Sequence, residues 1–298
     1  MDKLFLDQTF KLYKSNDTLP QLTQPQLDYI STIICQYLFQ TLANDIISEY
    51  KSYQDLFTDF KITHNVRQFN QFTITYISVR HRGLLPRQTI IFIKSANSND
   101  ETRPFNALVM IKATNSSLLS VLIQVIENLA TEVPIIIRDL RFTEKYLNLI
   151  INNVSSGLIS MNNYAEVIGD VELLYLTSHL VSNDSLRNIT ISVPEKDIQN
   201  LADLQGLVNN INAFLKRTSQ LNFNNIPLFR FTSRLINLSQ DGKLKISSDK
   251  LHLVRNSDFI DNISTSTQLQ HDALEGQENP FIWFLIGSIY NENLTTQL

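Results

Sequence analysis

Apolar positions recur along this chain at two periods, and the changes of period mark its elements. The first residues carry a short strand, Phe10-Lys11-Leu12-Tyr13, followed by loop chemistry through Asn16-Asp17 and Pro20. Thr23 or Gln24 then caps a helix with Pro25 in its first turn, and Leu27, Ile30, Ile34, Leu38, Leu42 and Ile46 fall three or four apart on one side. A second short helix is expected around Ser52 to Phe60. Three strands follow: Phe72 to Val79, Gln88 to Lys94, and Ala107 to Ala113. They are separated by Gly83 and Pro86 and by Asn97-Ser98-Asn99-Asp100. Consecutive strands with short turns make an antiparallel meander. Ser116 or Ser117 caps a helix carrying Leu119, Leu122, Ile123, Ile126 and Leu129. Val133 to Arg138 is a short buried strand. Thr143 caps a further helix with Leu147, Ile150, Ile151 and Val154, ended by Ser155-Ser156-Gly157.

Residues 155 to 169 are small and polar with glycines at 157 and 169, and they mark the expected boundary. This divides the chain into an N-terminal α/β region, 1–160, and a C-terminal sheet-and-helix region, 170–298. The second region opens on a strand at Asp170 to Leu176. In Leu186 to Val193, Ile189, Ile191 and Val193 alternate with Thr190 and Ser192, the period of a half-buried strand, and Pro194 stops it. Leu201, Leu204, Val208, Ile211 and Leu215 then follow helical spacing. Ile226 to Leu238 and Leu244 to Ile246 form a hairpin through Gln240-Asp241-Gly242-Lys243, because Asp-Gly tolerates the positive φ of a tight turn. Residues 255–279 are polar and acidic and read as a mobile loop with one strand at Asp258 to Ile263. Asn279 and Pro280 open a closing helix to Leu294. Strands and helices mix without strict alternation. The expected fold class is therefore α+β: antiparallel sheets with helices on one face and a C-terminal strand–helix–hairpin unit.

Composition narrows the chemistry. At 298 residues and 43% hydrophobic content, the chain suffices for one large or two modest cores. Seven glycines are few, and there is no phosphate loop, dinucleotide fingerprint or nucleophile elbow. Cys35 is alone, so no internal disulfide forms and a reducing compartment is expected. His64, His81, His179, His252 and His271 are scattered without metal-ligand spacing. Glu127 with Glu132, or Asp197 with Asp203, reads as solvated helix charge rather than an acid–base pair. No catalytic residue, metal site, cofactor, small-molecule substrate or membrane span is expected.

The net charge is −4, but it is unevenly spread. From Lys61 to Asn99 there is no acidic residue, against Lys61, Arg67, Arg80, Arg82, Arg87 and Lys94. From Lys216 to Arg255 eight basic residues face Asp241 and Asp249. Two basic sites follow as candidates for sequence-independent contact with DNA phosphates. One is Arg80, Arg82 and Arg87 on the turn between two strands, with Lys94 beyond. The other is Arg230, Arg234, Lys243 and Lys245 on the hairpin. An ordinary soluble turn, and polar-face charges balanced by acidic neighbours, are the competing readings. A strand at a sheet margin also invites a partner strand. That margin is expected in the hairpin from Ile226 to Ile246, with Phe229, Phe231, Leu235, Ile236, Leu244 and Ile246 as the partner-binding residues.

Four stretches, in order, resemble the centromere protein L family of inner-kinetochore subunits. They are Leu118 to Asn153 with Leu140-Arg141-Phe142-Thr143-Glu144-Lys145-Tyr146-Leu147 at its centre; Asp170-Val171-Glu172-Leu173 through Asn188-Ile189-Thr190-Ile191-Ser192-Val193-Pro194-Glu195-Lys196-Asp197; Ile236 to Ile246; and Phe281 to Leu294. The resemblance covers about two-thirds of the chain, and the Asn- and Ile-rich composition suits a yeast member. It implies a non-enzymatic nuclear protein of the constitutive centromere-associated network. Such a protein forms a heterodimer with a CENP-N-type subunit, meets other inner-kinetochore subunits, and lies beside the centromeric nucleosome and its DNA. The alternative is a generic adaptor of a transport or transcription complex with the same build.

Overall fold

The computed structural model describes residues 2–41, 50–69, 71–95, 105–129, 132–177, 187–201, 206–219, 222–254 and 279–294. The fold is α+β, with antiparallel sheets and helices packed on them. The chain forms two compact units, Phe10–Leu140 and Met1–Thr9 with Arg141–Leu298. The division thus falls at Leu140, not within 160–170. The expected linker is structured instead: a short helix runs from Tyr164 to Ile168, with Tyr164 and Val167 in the core. The expected strand at 258–263 and the acidic loop lie outside the described residues.

In the first unit the strands are β1 (Thr9–Ser15), β2 (Phe60–Phe69), β3 (Phe72–His81), β4 (Leu85–Ser95), β5 (Ala107–Lys112) and β6 (Ile137–Asp139). They lie antiparallel in the order β2-β3-β4-β5-β1, with β6 also pairing β1. Helices α1 (Gln24–Thr41) and α2 (Ser116–Glu127) supply Ile34, Leu38, Leu118, Leu122 and Val125 to one core with Ile77, Val79, Ile90, Phe92, Val109 and Ile111. The alternate residues Ile74, Ile91, Ile93, Leu108 and Met110 are buried too. Asn115, not a serine, caps α2, its side chain accepting from Leu118 N at 2.7 Å. The helix expected at Ser52–Phe60 is a 3-10 turn, Tyr53–Thr58, held by a Ser52–Asp55 capping box.

The second unit holds α3 (Glu144–Leu158), α4 (Tyr164–Ile168), β7 (Val171–Leu176), β8 (Asn188–Val193), α5 (Glu195–Ile198), α6 (Leu207–Ser219), β9 (Leu228–Thr232), β10 (Ile236–Ser239), β11 (Lys243–Ile246) and α7 (Pro280–Leu294). Its strand order is β11-β10-β9-β7-β8. Thr143 caps α3 as expected. The helix runs through Gly157 to Leu158, however, because Ser155 is absorbed into packing: its Oγ donates to Asn152 O and accepts from Leu207 N. Helix α3 packs against α6, α7 and β9. Leu147, Ile151, Leu173, Phe231, Leu238, Phe281 and Leu285 are nearly inaccessible there. Gly242 takes φ +76° in the β10–β11 turn, as the Asp-Gly signal predicts.

Candidate functional site: a basic sheet end and an open margin

The hairpin expected to receive a partner is interior. Strand β10 pairs with both β9 and β11, and β9 continues onto β7. The outer side of β11 is met at Ile246 by the chain's own N-terminus: Asp7 N donates to Ile246 O at 2.8 Å, and Ser248 N donates to Asp7 Oδ1 at 3.0 Å. Hydrogen bonding from Ser248 holds the Asp7 carboxyl below its ordinary pKa, with Lys245 adding to the effect. Phe231, Leu235, Ile236, Leu244 and Ile246 are all core residues, at most 3% exposed. Only Phe229 of the expected partner-binding set reaches surface, beside Arg230, Lys243 and Lys245 in a shallow concavity of about 190 Å³. The expected placement of the partner is therefore corrected: apolar alternation marked these residues for the core, not for a margin.

The second basic candidate is largely spent on carboxylates. Arg230 meets Glu172 at 2.8 Å, and Lys243 meets Asp241 at 2.8 Å. Arg234 meets Glu195 at 2.9 Å and Asp249 at 3.7 Å, and also donates to the carbonyl of Glu166. Lys94 is likewise paired, with Asp17 at 2.8 Å. These four cations fit the balanced-charge reading; Lys245 remains exposed on β11.

The residues of the first basic candidate lie together at one end of the sheet, with two further lysines beside them. Arg80 is the last residue but one of β3, Arg82 follows the strand, and Arg87 lies on β4 beside a bulge where the register shifts between Val79 and His81. All three are exposed. Residues directly opposed in an antiparallel ladder share a face. Lys61 on β2 is opposite Arg80, so it joins the group, as does Lys112, opposite Thr89 at the end of β5. Arg87 is two residues from Thr89 on β4 and so on the same face as Lys112; burial first, and the charge of Arg87 second, push the Lys112 pKa down. None of Lys61, Arg80, Arg82, Arg87 and Lys112 has an ion-pair partner among the described residues. At about 4.8 Å per strand, the row from β2 to β5 is about 14 Å wide. Such a row suits the spacing of successive phosphates on a polyanion better than a single small anion.

Strands β2 and β8 are sheet margins among the described residues, and their surfaces differ. Strand β2 carries Lys61 and Arg67, charges that discourage pairing with foreign strands. Strand β8, Asn-Ile-Thr-Ile-Ser-Val, has no charge and no proline. Its Ile189, Ile191 and Val193 are only half-buried, whereas Leu173 and Phe231, on the two strands beyond it, are at most 2% exposed.

Among the described residues no group of three His, Cys, Asp or Glu side chains is placed to hold a metal ion, and no helix is long and apolar enough to cross a membrane. Burial pushes the Cys35 thiol up to about 11. No protein-family model matches the chain, and no characterised protein matches it in sequence.

Proposed function

We propose that this chain is a non-enzymatic structural subunit of the inner kinetochore, pairing with a CENP-N-type partner and helping to hold centromeric DNA by its phosphates. The observation that carries the reading is the unopposed basic row Lys61, Arg80, Arg82, Arg87 and Lys112. Cations without carboxylate partners repel one another, and a polyanion relieves that repulsion while releasing its own counterions. The four stretches that resemble the centromere family build α2 to α3, β7 to α5, the β10–β11 hairpin and α7, which are packing elements rather than a reaction centre. The partner joins along a sheet margin; in the second unit β8 is the margin that no strand of this chain covers among the described residues.

The test measures binding to a fluorescent duplex of arbitrary sequence across salt concentrations. Arg80→Gln with Arg87→Gln should weaken binding at every sequence and lower the salt slope by about two, since each phosphate no longer neutralised removes about 0.9. An unchanged slope removes DNA from the reading. Enrichment of the tagged chain at centromeric chromatin, with co-purification of a CENP-N-type subunit, separates it from a transport or transcription adaptor.

A further inference from the structure

The face of β9, β10 and β11 that turns away from the core carries an unusual set of side chains. Phe231, Leu238 and Leu244 lie opposite one another and point inward, at most 2% exposed. Alternation therefore turns Arg230, Asn237, Ser239, Lys243 and Lys245 to the other face. Arg230 is registered with Ser239, and Asn237 with Thr232 on one side and Lys245 on the other. A register shift against β7, between Leu174 and Tyr175, gives β9 one extra residue, so both Phe229 and Arg230 lie between the core residues Leu228 and Phe231. Such a bulge re-aims a side chain. Phe229 accordingly joins Arg230, Asn237, Lys245 and Thr9 around the concavity of about 190 Å³.

The polar groups around it are unequally satisfied. Arg230 Nη2 donates to Glu172 at 2.8 Å, but Arg230 Nε is shut off from solvent and has no acceptor. A charged donor left in that state is costly, and an anion relieves it. Lys243 is held by Asp241 at 2.8 Å, and Ser239 donates to the same carboxylate. Lys245 is exposed and makes no ion pair among the described residues. Asp7, whose carboxyl Lys245 favours through space, accepts instead from Ser248 N at 3.0 Å. The side chains of Asn237 and Thr9 have no hydrogen-bond partner among the described residues. Arg230, Lys243 and Lys245 against Glu172 and Asp241 leave one positive charge over. One negative charge balances it, whereas a polyanion crossing this face would be repelled by Glu172 and Asp241.

We infer that this concavity takes the carboxylate of a glutamate side chain from a partner protein, with an apolar neighbour of that glutamate resting on Phe229. One carboxylate oxygen accepts from Arg230 Nε and the other from Lys245 and Asn237, so the orphaned N–H and the unpaired ammonium are satisfied together. Arg230 and Lys245 rise from strands about 10 Å apart, on either side of β10, and both side chains are long enough to meet above Asn237. A glutamate suits the site better than an aspartate, because Arg230 Nε lies beneath the surface. The volume holds one such side chain and is shallow, so the segment that carries it runs on over the sheet. The site lies in the second unit, on residues other than those of the basic row, and does not depend on the proposed function.

The probe is the blocked dipeptide N-acetyl-glutamyl-leucinamide, titrated into the full isotope-labelled chain and followed by amide NMR shifts. The amide signals of Phe229, Asn237 and Lys245 should move and saturate. The glutaminyl counterpart should bind at least about tenfold more weakly, the scale of one charge-assisted hydrogen bond. Inorganic phosphate should also bind at least about tenfold more weakly, because its second charge meets Glu172 and Asp241. Lys245→Met keeps the stem and removes the charge. It should weaken the glutamyl peptide at least about tenfold and leave the melting temperature in place, because Lys245 is exposed and makes no ion pair among the described residues. No saturable shift up to about 20 mM peptide overturns the inference. So does equal binding of the glutamyl and glutaminyl peptides, phosphate binding as tight as the glutamyl peptide's, or an affinity untouched by Lys245→Met. Failure of the chain to bind duplex DNA would instead count against the proposed function and leave this site standing.

Discussion

Arg234 and Glu195 meet at 2.9 Å, and the pair locks the turn between β9 and β10 to the short helix that follows β8. The same guanidinium donates to the carbonyl of Glu166, and Arg234 N donates to Ile168 O at 2.8 Å. Its side chain lies across Gly169, whose φ is +67° and where a Cβ would stand 2.8 Å from that of Arg234. Arg234 is thus a strut of the second unit. Arg234→Ala should cost about 1–3 kcal/mol, the scale for orphaning partly buried partners of a charged donor, in a denaturant melt. It should leave the salt slope of DNA binding unchanged.

Gly206 makes a sharper case. It sits at φ +95°, and a Cβ there would come within 2.5 Å of the Asn152 side chain. Asn152 cannot yield freely, because its Oδ1 accepts from Val208 N at 3.1 Å at the start of α6. Gly206→Ala therefore combines backbone strain with a clash and should lose about 2 kcal/mol or more. Gly83, at φ +87° with nothing near, isolates the backbone cost. Gly83→Ala should lose about 1 kcal/mol, and comparing the two melts separates clash from strain.

Local chemistry explains which parts of this fold are legible in the sequence. Thr143, Asn279 and Asp241-Gly242 act on residues within four positions, so a cap, a helix start and a turn can be read directly. Strand β2 escapes the pattern although Phe60, Ile62 and Val66 alternate with Lys61, Thr63 and Arg67; His64 and Asn65 blur the period at its middle. Without β2, Lys61 has no strand to place it opposite Arg80. The partner-binding residues are misplaced for a nonlocal reason. Strand β9 and strand β8 show similar alternation, and only the long-range choice of β7 to pair with both decides which is interior.

Burial of tyrosines sets the alkaline limit of stability. Burial, and second the charge of Asp139, push Tyr13 up to about 12; burial pushes Tyr164 up to about 12 against a hydrogen bond with Ser155. Each folded pKa exceeds the unfolded value of about 10. Their contribution is complete below a pH of about 10 and is lost as pH rises toward about 12, because the unfolded chain releases those protons first. Stability should therefore fall steadily across that window. Tyr13→Phe and Tyr164→Phe should each flatten the fall, and tyrosinate absorbance near 295 nm should lag in the folded protein.

The basic row and the hairpin cations make opposite predictions for one experiment. Lys112 gains nothing from a carboxylate and is held close to Arg87, so its charge is a liability that an anion removes. Lys243 and Arg230 already satisfy Asp241 and Glu172 at 2.8 Å each. Lys61→Gln and Lys112→Gln should each lower the salt slope of duplex binding by about one. Lys112→Gln should also hold or raise the melting temperature, since it removes a desolvated like charge. Lys243→Gln and Arg230→Gln should leave the slope in place, because those ions are neutralised within the chain. Equal slopes for all four variants would mean that DNA reads overall charge and that the row at the sheet end is not a site.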